Sequence, residues 1–121
     1  MSPRHFLTLL DLSPIELNNV MDRARSIKDL SSKNAQVGLM AGMTMVMLFE
    51  KASTRTRISF EAAMSQFGGH TLFLAPESSQ LSRGETLSDT ARIISSMAEL
   101  IVMRTYAHER IATVAEYSRV P

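Results

Sequence analysis

The spacing of apolar residues changes several times along the chain, and each change marks an element. Leu17, Val20, Met21, Ala24, Ile27 and Leu30 recur at helical spacing, which predicts an amphipathic helix with that stripe turned inward. Ser13-Pro14-Ile15-Glu16 marks its start: Ser13 caps, Pro14 suits the first helical position and Glu16 completes a capping box. The helix is expected to end around Ser31-Ser32-Lys33-Asn34, where Lys33 and Asn34 suit a C-terminus. Met43 to Phe49 is a continuous apolar run, broken by Thr44 and preceded by Gly42. A short, partly β-branched run of this kind predicts a strand buried on both faces, as in a parallel sheet. Phe60, Ala63, Met64 and Phe67 return to helical spacing, and Gly68-Gly69 closes that second helix.

Thr71 to Leu74 predicts a short second strand, and the Ser-, Pro- and Gly-rich stretch from Pro76 to Gly84 a loop. A third helix is expected to start near Ser88-Asp89, with Ala91, Ile94, Met97 and Ala98 on its inner face. Leu100 to Met103 reads as a third strand, and Ile111, Val114 and Ala115 belong to a fourth helix. The order α-β-α-β-α-β-α predicts an α/β fold, a layered parallel sheet flanked by helices. The alternation calls for another strand after Val120-Pro121, so the expectation is a domain truncated before it is complete. At 121 residues the chain is one domain or part of a larger one.

Hydrophobic residues make up 45% and charged residues 21%, which excludes wholesale disorder. Thirteen basic against twelve acidic residues give a net charge of +1, so there is no bulk field for nucleic acid, although a local anion site remains open. Without cysteine, disulfides, zinc-thiolate sites, iron–sulfur clusters and a thiol nucleophile are excluded. Asp11 cuts short the apolar run Phe6-Leu7-Thr8-Leu9-Leu10, and no small-residue cleavage site follows. A soluble, cytoplasmic start is therefore expected, and no stretch is long enough to span a bilayer.

The densest chemistry is Phe49-Glu50-Lys51-Ala52-Ser53-Thr54-Arg55-Thr56-Arg57, between the C-end of a buried strand and the start of a helix. Ligands sit at that place in open α/β sheets. First-turn amides lack intrahelical partners, and the helix dipole adds partial positive charge there. Ser53, Thr54 and Thr56 add hydroxyl donors, and Arg55 a planar fork suited to phosphate oxygens. Together they could cradle a phosphate. An ordinary helix start flanked by solvated arginines fits the same residues, and Arg57 belongs to that description because Glu61 lies four residues on. Physics alone leaves the two readings evenly matched. Arg104 directly follows the third strand. Parallel strands bring their C-ends to one edge, so Arg104 should join Ser53 to Thr56 there, which favours the anion site. The loop Ser78 to Glu85, with Gln80 in it, carries no local sign of binding.

Other motifs fail. No Gly-x-x-x-x-Gly-Lys and no Gly-x-Gly-x-x-Gly can be drawn. His108-Glu109 lacks a second histidine, since position 112 is Ala112, and His5, His70 and His108 are well separated, so no metal site is expected. Met21, Met64 and Met97 are expected as core filler.

Phe49-Glu50-Lys51-x-Ser53-Thr54-Arg55-Thr56-Arg57 followed by Ser59-Phe60-Glu61 resembles the signature of the aspartate/ornithine carbamoyltransferase family. The resemblance covers nearly the whole chain. Gly84-Glu85-Thr86-x-x-Asp89-Thr90-Ala91-Arg92 and Met103-Arg104-Thr105 also match. Arg4-His5-Phe6-Leu7 with Asp11-Leu12-Ser13, Lys51 and Gln80 resemble the ornithine branch more than the aspartate branch.

The resemblance implies that Ser53, Thr54, Arg55 and Thr56 hold the phosphate of carbamoyl phosphate, and that Arg104 contacts it near the carbonyl oxygen. Arg55 and Arg104 are then the catalytic pair. Gln80 would reach into a neighbouring subunit's site, implying a homotrimer. L-ornithine is carbamoylated to L-citrulline with release of phosphate, and no metal or organic cofactor is implied. Residues 1–121 correspond to part of the carbamoyl phosphate-binding domain. The family's His-Pro-Cys-Gln-type stretch and its ornithine-binding domain are absent from these residues, which hold about half a carbamoyl phosphate site. Two other readings stay open: a non-catalytic truncated remnant that binds phosphate or co-assembles, and membership of the aspartate branch.

Overall fold

The computed structural model describes residues 2–32, 38–75, 77 and 83–121. After a 3-10 turn at Leu9–Asp11, the elements run α1 (Pro14–Ser32), β1 (Thr44–Phe49), α2 (Thr54–Gln66), β2 (His70–Leu74), α3 (Leu87–Ser95), β3 (Leu100–Arg104) and α4 (His108–Tyr117). The three strands form one sheet in the order β2-β1-β3, and both pairings are parallel. The α/β layering expected from the hydrophobic pattern is therefore present.

The central strand has apolar side chains at both parities, so both its faces need cover. Met45, Met47 and Phe49 pack with Met64 of α2, joined by Met40, Phe73, Leu100 and Val102. On the other face Val46 and Leu48 pack with Ala91 and Ile94 of α3, with Ala98 just after it, and with Val114 of α4. Five consecutive strand residues, Met45 to Phe49, are buried. Each such side chain contributes roughly 1.5–3 kcal/mol of hydrophobic free energy. Helix α2 ends where a left-handed residue is required: Gly68 has φ 82°. A side chain on the next residue, Gly69, would collide with Met64 and the Met40 carbonyl, so both glycines have steric reasons.

Some expected core positions are exposed. Val20, Met21 and Leu30 of α1 are solvent-facing, as are Phe60 and Met97. Spacing identifies the face a helix would bury but not whether a partner exists, and none of the described elements covers that stripe of α1 beyond half-burial of Leu17 and Ile27. Met97 fails for a local reason: α3 stops at Ser95 with Ser96 as its C-cap, so helical spacing no longer governs where Met97 points. Helix α3 also begins earlier than expected, at Leu87, because Thr86 is its cap and accepts from the Asp89 amide. Of the three methionines expected in the core, Met64 is buried; Met45 and Met47 of β1 fill the core instead of Met21 and Met97.

Candidate functional site

The edge formed by the C-ends of β1 and β3 collects the candidate residues. Phe49 and Arg104 are register partners across the two strands, and the Glu50 amide donates to the Arg104 carbonyl at 2.8 Å. Leu100 and Val102 face the α2 side of the sheet. Strand alternation places Arg104 on that same side, where α2 begins. The strand ladder thus brings Arg104 toward the helix start carrying Ser53 to Thr56.

Ser53 is the N-cap of α2, with extended backbone. Its Oγ accepts from the Thr56 amide at 3.4 Å and donates to Thr56 Oγ1 at 2.9 Å. The Ser53 hydroxyl thus caps the helix, and the Thr56 hydroxyl lies beside it at the same helix start. Every other helical element described has an acid in its first turn: Asp11, Glu16, Asp89 and Glu109. Helix α2 has none and carries Arg55 there instead, against its own dipole.

The arginines of this edge divide into two kinds. Arg57 pairs with Glu61 at 3.5 Å, as the i,i+4 spacing predicts, and its guanidinium lies 3.6 Å from the Phe73 ring centroid. Arg110 of α4 holds Glu50 with both Nε (2.7 Å) and Nη2 (2.6 Å). Thr105 Oγ1 donates to the same carboxylate at 2.7 Å. Arg110 first, and then Thr105, hold the Glu50 carboxyl below its ordinary value against the opposing effect of burial. By contrast, Arg55 and Arg104 have no carboxylate within ion-pair distance among the described residues. Among the described residues the Arg104 Nε is buried without a hydrogen-bond partner. A buried donor left unmade costs about 1–3 kcal/mol, so Arg104 gains from an acceptor brought by a ligand. Lys51, from the same loop, lies 5.4 Å from the Tyr106 ring centroid.

Nothing in the sequence pattern marks the Glu50–Arg110–Thr105 cluster. Arg110 lies in the first turn of the helix following the same strand as Arg104, so the shared edge of parallel strands brings it here as well. Gln80, expected to serve a neighbouring site, lies outside the described residues. Among the described residues no group of His, Cys, Asp or Glu is arranged to hold a metal, and no helix is long and apolar enough to cross a membrane. A separate cleft of about 390 Å³ lies along β3 and α4, lined by Phe6, Phe60, Val102, Val114 and Val120 among others. It includes none of Ser53, Thr54, Arg55, Thr56 or Arg104, and its lining is mostly apolar, with Arg4 and His5 at one side.

Fold and edge define a class: a parallel α/β domain in which the helix after the central strand starts with a basic residue and no acid, as suits a small anion. The family model described as the carbamoyl-P binding domain of aspartate/ornithine carbamoyltransferase matches residues 4–121. The chain belongs to the aspartate/ornithine carbamoyltransferase family. It is 52% identical over its whole length to an ornithine carbamoyltransferase of Psychrobacter sp. (strain PRwf-1) and covers 40% of that relative. Among solved structures, the ornithine carbamoyltransferase of Pyrococcus furiosus superposes with a TM-score of 0.93 at 39% identity, over 99% of this chain and 38% of that one. The catalytic subunit of M. jannaschii aspartate transcarbamoylase superposes with a TM-score of 0.90 at 34% identity, over 98% of this chain and 40% of the other. The chain spans about 40% of the length of the curated relatives it matches.

Proposed function

We propose that residues 1–121 form the carbamoyl phosphate-binding part of an ornithine carbamoyltransferase. The observation that carries the reading is the division of the arginines. Arg57 and Arg110 are neutralised by Glu61 and Glu50, while Arg55 and the buried Arg104 Nε are left for a ligand at the same edge. The amides at the start of α2, Ser53, Thr54 and Thr56 hold the phosphate together with Arg55, and Ser53 also shapes that cradle by capping. Arg104 reaches the carbamoyl end.

In the reaction, the ornithine side-chain amine attacks the carbonyl carbon and a tetrahedral intermediate forms. The bond from that carbon to the bridging oxygen then breaks, phosphate departs with the electron pair, and the new amide nitrogen loses a proton to give L-citrulline. Charge grows on the carbonyl oxygen and on the leaving phosphate, where fixed cations stabilise it; one such donor is commonly worth about 10²–10³ in rate. No step calls for a metal or organic cofactor.

L-ornithine as acceptor is supported by the names of the curated relatives, whereas the fold alone is shared with aspartate transcarbamoylase. A homotrimer with Gln80 reaching a neighbouring site, and a cytoplasmic location, belong to the same proposal. Carbamoyl phosphate titrated calorimetrically into wild type and Arg55→Ala tests it. The variant is expected to bind at least tenfold more weakly, the size of one charge-assisted hydrogen bond. Equal affinities would remove Arg55 from the site.

A further inference from the structure

We propose that Arg110 is a positioning residue for the anion site: through Glu50 it fixes the start of α2 relative to Arg104. The inference rests on the reading of that edge as a carbamoyl phosphate site and adds a residue to it that touches no ligand.

The geometry is a seam between two loops. Glu50 is the first residue after β1, and four hydrogen bonds hold it. Its amide donates to the Arg104 carbonyl, and its carboxylate accepts from Thr105 Oγ1 and from two nitrogens of Arg110. All of those partners come from the end of β3, the residue after it, or the first turn of α4. Lys51 adds a second crossing, its ammonium set against Tyr106. Between Glu50 and the capping Ser53 stand Lys51 and Ala52 alone, so three residue steps of at most about 3.6 Å each separate the pinned carboxylate from the cradle.

The two sides of the seam have different tasks. Arg104 belongs to the face covered by α2, with Leu100 and Val102. Glu50 instead turns its side chain toward Arg110 and α4. Arg110 therefore works from behind the site. An isolated exposed ion pair would contribute little. This one is bidentate, and the Glu50 side chain is 18% exposed, with a third donor on the same carboxylate. A planar fork matched to a carboxylate fixes orientation as well as distance. Without it, Glu50 keeps its backbone bond, but the carboxylate loses two of its three donors and the loop leading to Ser53 can turn about that one remaining tie and the Thr105 bond.

The test uses inorganic phosphate and carbamoyl phosphate as probes, titrated into the chain at a temperature where circular dichroism shows each variant folded. Arg110→Met keeps the aliphatic stem and is expected to weaken both probes about tenfold, as misplacement of one charge-assisted contact would. Arg110→Lys should recover part of the loss. The double variant Glu50→Gln/Arg110→Met should bind as Arg110→Met does, because both changes open the same link. Should Arg110→Met fail to fold, Thr105→Val removes one bond to the carboxylate without changing charge and carries the test, with an expected loss of about threefold.

A folded Arg110→Met that melts earlier but binds phosphate as wild type does would overturn the proposal, since Arg110 would then serve stability alone. Additive losses in the double variant would overturn the route through Glu50. Unchanged affinity for both probes in Arg55→Ala would instead sink the reading of the edge itself.

Discussion

Helices α2 and α4 start from neighbouring parallel strands at one sheet edge, and their first turns are built differently. Helix α4 has Ala107 at its N-cap, with no side-chain cap, and places Glu109 in its first turn, where an acid complements the partial positive charge. Helix α2 has a capping serine, no acid and Arg55 in its first turn. Each misplaced or well-placed charge at a helix start is worth roughly 0.3–1 kcal/mol. Helix α4 is thus settled by its own residues, and Arg110 beside Glu109 is spent on Glu50. Helix α2 accepts a local electrostatic cost that an incoming anion relieves. Two helix starts at one sheet edge can therefore have different functions, and their caps and local charges separate them.

The sharpest way to break that contrast is acid. Glu50 is held below the ordinary glutamate value of 4.5, chiefly by Arg110. A depressed carboxylate contributes stability that is fully present above its unfolded value and is lost as pH falls through the folded one. The gap in melting temperature between wild type and Arg110→Met should therefore be widest above about pH 5 and close in stronger acid. Charged hydrogen bonds contribute about 1.5–3 kcal/mol, and solvent at Arg110, whose side chain is 40% exposed, places this pair at the low end. A gap independent of pH would detach the ion pair from the stability of the edge.

Ser53→Ala comes next in size. Loss of a serine cap costs about 1 kcal/mol, read as an earlier melt, and added phosphate should restore less of that loss than it adds to wild type. If phosphate raised both melting temperatures equally, the cap would have no part in shaping the cradle. The smallest effect belongs to α4. Glu109→Gln should destabilise by about 0.3–1 kcal/mol and leave phosphate affinity unchanged; a weaker titration in this variant would erase the distinction between the two helix starts.

What could be read in advance follows from how far apart the interacting residues lie. The capping box at Ser13 and Glu16 is observed in full, with the Ser13 amide donating to Glu16 at 2.8 Å and the Glu16 amide to Ser13 at 3.2 Å. Arg57–Glu61 is likewise local. Two-sided burial of β1 was legible because an uninterrupted apolar run leaves neither face fit for water. Arg104 was legible because parallel strands share an edge. The stripe of α1 misled because amphipathicity describes a preference for cover, and Val20 and Met21 lack that cover among the described residues. The Glu50–Arg110 bond joins residues sixty positions apart, and neither residue has a local partner that would have marked it.

The two faces of β1 also differ in a chemical vulnerability. On the α2 side three of the four buried core residues are thioethers, Met45, Met47 and Met64; the core of the opposite face contains aliphatic side chains, with Met103 at its margin. Sulfoxidation turns a pliant apolar side chain into a polar one. An oxidant that gained the interior would thus loosen the layer beneath the anion cradle first and spare the layer under α3 and α4. Peroxide damage should therefore register as lost phosphate binding before it registers as lost helix.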